Sequence, residues 1–131
     1  MPIDKKIQGK QNREWGALAE KIAYDWLLTH GYVIRETNWR VKNTIEIDII
    51  AELPETIIFI EVKARKGDAV DALDTVDRKK IQKMVRGANI YLQSLDRLFK
   101  YRFDIITVTG IPEEYTLEHF PDAFYPPLGM K

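Results

Sequence analysis

Between Ile45 and Lys63 the chain reads IEIDIIAELPETIIFIEVK, and Asp48, Glu61 and Lys63 within it are residue types that metal-assisted hydrolysis uses. The stretch reads as two strands joined by a turn at Leu53-Pro54-Glu55-Thr56, with Pro54 at the position where its ring pre-sets φ. That turn sets Asp48 directly opposite Glu61, Cβ atoms roughly 5 Å apart. Lys63, two residues on, points to the same face. Facing carboxylates repel unless something positive lies between them, and a divalent cation beside an ammonium group meets that need. A slip of one residue would put the acids on opposite faces. A solvated strand edge carrying two acids and a lysine fits the same letters.

The donors are all oxygen. Asp48, Glu61 and the Val62 carbonyl suit a hard cation, magnesium first and manganese as its substitute. Such an ion acidifies a bound water and neutralises charge on a phosphodiester, with Lys63 holding or deprotonating the attacking water or steadying the phosphorus centre. Glu20 would complete the metal shell or position a second ion, although a glutamate on a helix flank is by default solvated. Zinc is disfavoured, because His30 and His119 are far apart and cysteine is absent. Ser94, the single serine, falls inside a helix, and neither a dinucleotide fingerprint nor a P-loop is present.

The elements that would carry these residues follow in order. Residues 1–11 read as a flexible tail, and Asn12 as the cap of a first helix with the stripe Trp15, Leu18, Ala19, Ile22, Ala23, Trp26 and Leu27, closed by Gly31. Tyr32 to Arg40 is a strand, Lys42 to Thr44 a turn, and the hairpin follows. Lys63, Arg65 and Lys66 lead into a loop around Gly67 that either closes over a substrate or simply connects. Thr75 or Asp77 caps a second helix with the stripe Ile81, Met84, Val85, Ala88, Tyr91, Leu92 and Leu95. Arg78, Lys79, Lys80, Lys83 and Arg86 crowd its first half without an acid, against the helix dipole. A basic face suits phosphates, and a solvated lysine-rich face fits equally. Arg102 to Thr109 is a strand, Gly110 to Pro112 a break, and Tyr115 to Phe120 a short last strand. Residues 120–131 read as an irregular Pro-rich tail. The result is an α/β domain over 12–131 in α-β-β-β-α-β-β order, a three-strand antiparallel meander gaining a strand across a helical crossover.

With 131 residues, 45% of them hydrophobic, the chain suits one domain with a real core. Twenty basic and twenty acidic residues balance, which argues against a protein coated in nucleic acid but leaves room for a basic patch. No signal-like or membrane-length apolar run occurs, so a cytoplasmic location without membrane partners is expected.

Asp, a gap and Glu-x-Lys on adjoining strands, after a glutamate-bearing helix, resemble the PD-(D/E)XK nuclease superfamily. The chain is more closely similar to the bacterial YraN-like family, related in fold to archaeal Holliday junction resolvases. The likeness runs through Gly16 with Ala19-Glu20 and Ala23, Gly31-Tyr32, Asn38-Trp39-Arg40, Glu46-Ile47-Asp48, Phe59-Ile60-Glu61-Val62-Lys63 with Arg65, Val76 with Lys80, Tyr91-Leu92, and Arg102-Phe103-Asp104. It implies a restriction endonuclease-like fold with Glu20, Asp48, Glu61 and Lys63 at the active-site positions and Lys80 matching a family lysine. Ile45 stands where many relatives have glycine. Arg40, Arg65, Lys66, Arg78, Lys79, Lys80 and Lys83 are then the candidates to hold DNA, and kinship with dimeric resolvases implies a homodimer. Three functions remain open: a magnesium-dependent endonuclease acting on branched or single-stranded DNA, a catalytically silent nucleic-acid-binding module on the same frame, and a scaffold that binds a partner through the aromatic, Pro-rich tail.

Overall fold

The computed structural model describes residues 4–67 and 78–125. Its elements are α1 (Lys5–Thr29), β1 (Val33–Val41), β2 (Ile45–Leu53), β3 (Thr56–Arg65), α2 (Arg78–Gln93), β4 (Lys100–Ile111) and β5 (Glu114–Phe124), in the expected α-β-β-β-α-β-β order. The strands form one sheet in the order β1-β2-β3-β4-β5. Only β3 and β4 run parallel, since α2 lies between them in sequence; every other neighbour is antiparallel. The alternating residues of the strands serve two cores. Ile58, Ile60, Val62, Ile106 and Val108 pack with Trp15, Ala19, Ala23 and Leu27 of α1. Ile57, Phe59 and Phe103 pack with Met84, Val85, Ala88 and Tyr91 of α2 on the other face. Both helical stripes expected from the sequence are the buried ones.

The first helix is longer than its apolar stripe. Asp4, not Asn12, is the cap, and its carboxylate accepts the Lys6 N–H at 2.7 Å. Residues 5–11 are therefore helical rather than a flexible tail. Once a helix is nucleated each added turn needs little, so polar residues propagate it without burying anything. At the other end Gly31 takes φ 87°, and the amides of Gly31 and Tyr32 return to the carbonyls of Leu28 and Leu27. This is the expected glycine stop.

The Pro54-Glu55 turn forms as expected, with Glu55 in the left-handed region at φ 63°. The end of the chain differs from expectation. Residues 120–124 belong to β5, and Phe124 stacks on Phe103 at 5.0 Å, inside the α2 core. The strand tolerates Pro121 because the register shifts there against Phe103 and Ile105, with Asp122 at φ 50°. The scaffold reading thereby loses one of its two tail aromatics, while Tyr125 is 74% exposed. Residues 126–131 lie outside the described residues, as do the loop over 68–77, the Thr75 or Asp77 cap, and Val76.

Candidate active site

The hairpin ladder runs from Leu53↔Thr56 to Ile49↔Ile60 in the expected register, and stops one residue short of Asp48 and Glu61. In β2 the alternation breaks at that point: Ile47 belongs to the α2 core and Ile49 to the α1 core, although two residues apart should share a face. Asn38 of β1, between the pairs Thr37↔Ile49 and Trp39↔Ile47, takes φ 49°. Asp48 fills the opening. Its Oδ2 accepts the Val62 N–H at 2.9 Å, so a side chain replaces the missing backbone partner. The expected flat Asp48–Glu61 pair is thus corrected to a cleft between diverging strands, with Asp48 bridging it. The N–H and C=O of a strand residue point to the same side, so the Val62 carbonyl faces this cleft as well.

Glu61 is the more deeply buried acid, 3% exposed. Its Oε1 lies 2.5 Å from the Lys80 ammonium and 3.4 Å from that of Lys63. Burial pulls against charge on Lys80, yet the Glu61 charge and hydrogen bond outweigh it and hold the lysine above its ordinary pKa. On the α1 side Glu20 hydrogen-bonds Asp48 and Asn38, and Glu46 completes a cluster in which carboxylate oxygens of Glu20, Glu46 and Asp48 lie within 4.8 Å of one another. Burial, and then the charge of Glu61, push Asp48 up to about 8; burial and the charges of Glu46 and Glu61 also raise Glu20. An all-oxygen donor set at this spacing, with one carboxyl reluctant to ionise, fits a hard divalent cation.

Glu20, Asp48, Glu61 and Lys63 therefore converge, together with the Val62 carbonyl, on one cleft of about 590 Å³. Lys80, expected among the cations that hold DNA, reaches Glu61 itself. Lys79 and Lys83 line the α2 side, and Arg40 ion-pairs with Glu46 on the β1 side. Lys66 lines a separate groove beyond Trp15, the Arg65 carbonyl accepts the Trp15 indole N–H at 3.0 Å, and Arg78 is exposed at the start of α2. Sequence reasoning gave Glu46 and Asn38 no role of their own. Glu46 was within reach of it, standing two residues before Asp48 in the same strand; nothing in the letters marks a positive φ at Asn38. His119 is engaged elsewhere: with Arg102 it holds the fully buried Asp104.

A mixed sheet with a helix on each face, opened beside its central strand around clustered acids and a lysine, is the restriction endonuclease-like class of fold. Residues 19–108 match the "Uncharacterised protein family UPF0102", and the chain belongs to that family, the YraN-like group that its motifs resemble. A UPF0102 protein of Bacteroides thetaiotaomicron is 38% identical over 119 residues, covering 90% of this chain and 98% of the relative. One from Bacteroides fragilis is 41% identical over 114 residues, 86% and 93% of the two chains. One from Treponema pallidum is 37% identical over 122 residues, 88% and 95%. No described helix is long and apolar enough to cross a membrane.

Proposed function

We propose that the protein is a metal-dependent nuclease that hydrolyses DNA phosphodiester bonds on branched or single-stranded substrates. The observation that carries this reading is Asp48, a carboxyl pushed up to about 8 in an opened strand, among Glu20, Glu46 and Glu61 and with Lys63 alongside. A structural strand has no use for four acids at one break in its ladder. Asp48, Glu61 and the Val62 carbonyl would hold magnesium or manganese, with Glu20 beside them. The ion, when bound, would supply an acidified water and offset phosphate charge. Lys63 orients that water through its ammonium donors, and Lys79 and Lys83 hold the backbone on the α2 side. Lys80 keeps Glu61 in place.

The test is incubation of a labelled single strand and a four-way junction with magnesium or manganese, resolved on a denaturing gel. Cleavage lost by at least a hundredfold in Asp48→Ala, Glu61→Ala and Lys63→Ala supports the reading; full activity in one of them removes that residue's role. A silent nucleic-acid-binding module is the second reading, favoured by the two lysines, Lys63 and Lys80, that ion-pair with Glu61. It gives salt-sensitive binding through Lys79 and Lys83 and no metal-dependent product. Self-association goes with the resolvase kinship, and a strictly monomeric species in sedimentation velocity would contradict it.

A further inference from the structure

The first turns of α1 bury nothing. Trp15 is the first buried residue of a helix that begins at Lys5, so ten residues, about 15 Å of helix, run past the core. At helical spacing, Arg13, Gly16 and Ala17 share the flank of Glu20, and Lys10 and Lys6 continue it toward the N-terminus. Arg13, Gly16 and Ala17 line the acid cleft together with Glu20. A Cβ on Gly16 would meet nothing within 4 Å, so the helix presents bare backbone there. A Cβ on Gly9 would stand 3.4 Å from Arg13 Nη1, which places the guanidinium back along the helix, away from the acids. From the cleft outward the flank therefore carries a carboxylate, an open step, a guanidinium and two ammonium groups. Lys10 pairs with Glu14 only at 4.0 Å, both side chains being exposed, a contact of little weight, and Glu14 lines the separate groove beyond Trp15.

We infer that this flank is the approach track for one strand of nucleic acid, with phosphates on Lys6, Lys10 and Arg13 and the backbone crossing the Gly16-Ala17 step into the acid cleft. The inference deepens the phosphodiesterase reading and rests on it. Charge complementarity and direct continuity with the cleft name the occupant. The cations stand in single file on one helix flank, which suits one strand and not the two backbones of a duplex. Lys6 to Arg13 covers about 10 Å of rise, room for about three phosphates.

Fluorescence anisotropy of a labelled 20-nucleotide strand against the full chain in EDTA, across a potassium chloride series, tests it. The triple variant Lys6→Ala, Lys10→Ala, Arg13→Ala should bind on the order of tenfold to a hundredfold more weakly, with a log–log salt slope smaller by about 2. Gly16→Leu keeps every charge and fills the open step; it should also bind more weakly, with Tm unchanged or higher because leucine favours helix. Alanine does too, so unfolding does not explain a loss in the triple variant. A triple variant with wild-type affinity and slope overturns the track, as does Gly16→Leu that binds like wild type. Duplex bound more tightly than single strand overturns the single-strand assignment. A wild type that binds neither overturns the track and the nuclease reading together, whereas binding indifferent to these variants overturns the track alone.

Discussion

Asp48 takes the amide hydrogen of Val62 and sits close to Glu20 and Glu61, so its charged form is stabilised by one bond and opposed by burial and like charge. Its carboxyl, at about 8 when folded, stands well above its ordinary value. The stability this proton confers is complete below about pH 4 and is lost as pH rises toward 8, so the metal-free protein weakens across that range. Asp48→Asn keeps the shape without the charge. It should flatten the slope and raise stability at pH 8 by at least about 1 kcal/mol, read by urea denaturation in EDTA at pH 6 and pH 8. A variant with the wild-type slope would mean that Asp48 is not the group that titrates. Asp48, Glu61 and Lys63 were legible from their types and spacing, whereas Glu20, on a helix flank where glutamates are by default solvated, was a candidate addition to the metal shell that the resemblance then placed in the active site. Glu46 was missed although it stands two residues before Asp48 in the same strand.

At the scale of the elements, the position of Lys80 is set by how closely α2 rides on the sheet. A Cβ on Gly87 would stand 2.8 Å from Ile45 Cγ2 and 3.2 Å from Ile47 Cδ1, so only glycine permits this approach. Gly87→Val should cost about 1–3 kcal/mol and draw Lys80 off Glu61. Thermal unfolding reads the first effect; the second appears as lost cleavage that Lys80→Ala in the same background does not worsen. The α2 stripe and the β2–β3 turn were legible because periodicity and Pro54 report directly on backbone. The ladder break was not. Ile47-Asp48-Ile49 alternates perfectly as letters, and the break arises from a side-chain bond to Val62 and a positive φ at Asn38, both tertiary events. The N-terminal extension of α1 was missed because a helix continued from a nucleus needs no apolar stripe, and the strand at 120–124 because Pro121 looked like an end.

Over the whole molecule, Asp104 fastens β4 to β5 and to the chain that follows α1. It is fully buried, takes two bonds from Arg102 and one from the Asp122 amide, and contacts His119 Nε2 at 2.7 Å, while Arg102 also reaches the Tyr32 hydroxyl. Burial would raise its pKa, but the bonds from His119 and Arg102 outweigh burial and hold it below the ordinary carboxylate value. Its stabilisation is therefore present above about pH 4 and lost as pH falls through the depressed value. Asp104→Ala strands Arg102 beside a buried void and should cost about 3–5 kcal/mol in urea denaturation at pH 7; a loss under about 1 kcal/mol would mean the network is ornamental. The acid cleft lies on the same sheet, and on the proposed metal-dependent reading Asp48 surrenders a proton when a metal binds. Titration calorimetry of magnesium and manganese at pH 7, in buffers of different ionisation enthalpy and with and without a single-stranded oligonucleotide, measures that directly. The expected result is binding with release of up to about one proton, both lost in Asp48→Asn. No metal binding in any of these conditions, or binding that Asp48→Asn leaves intact, would contradict it.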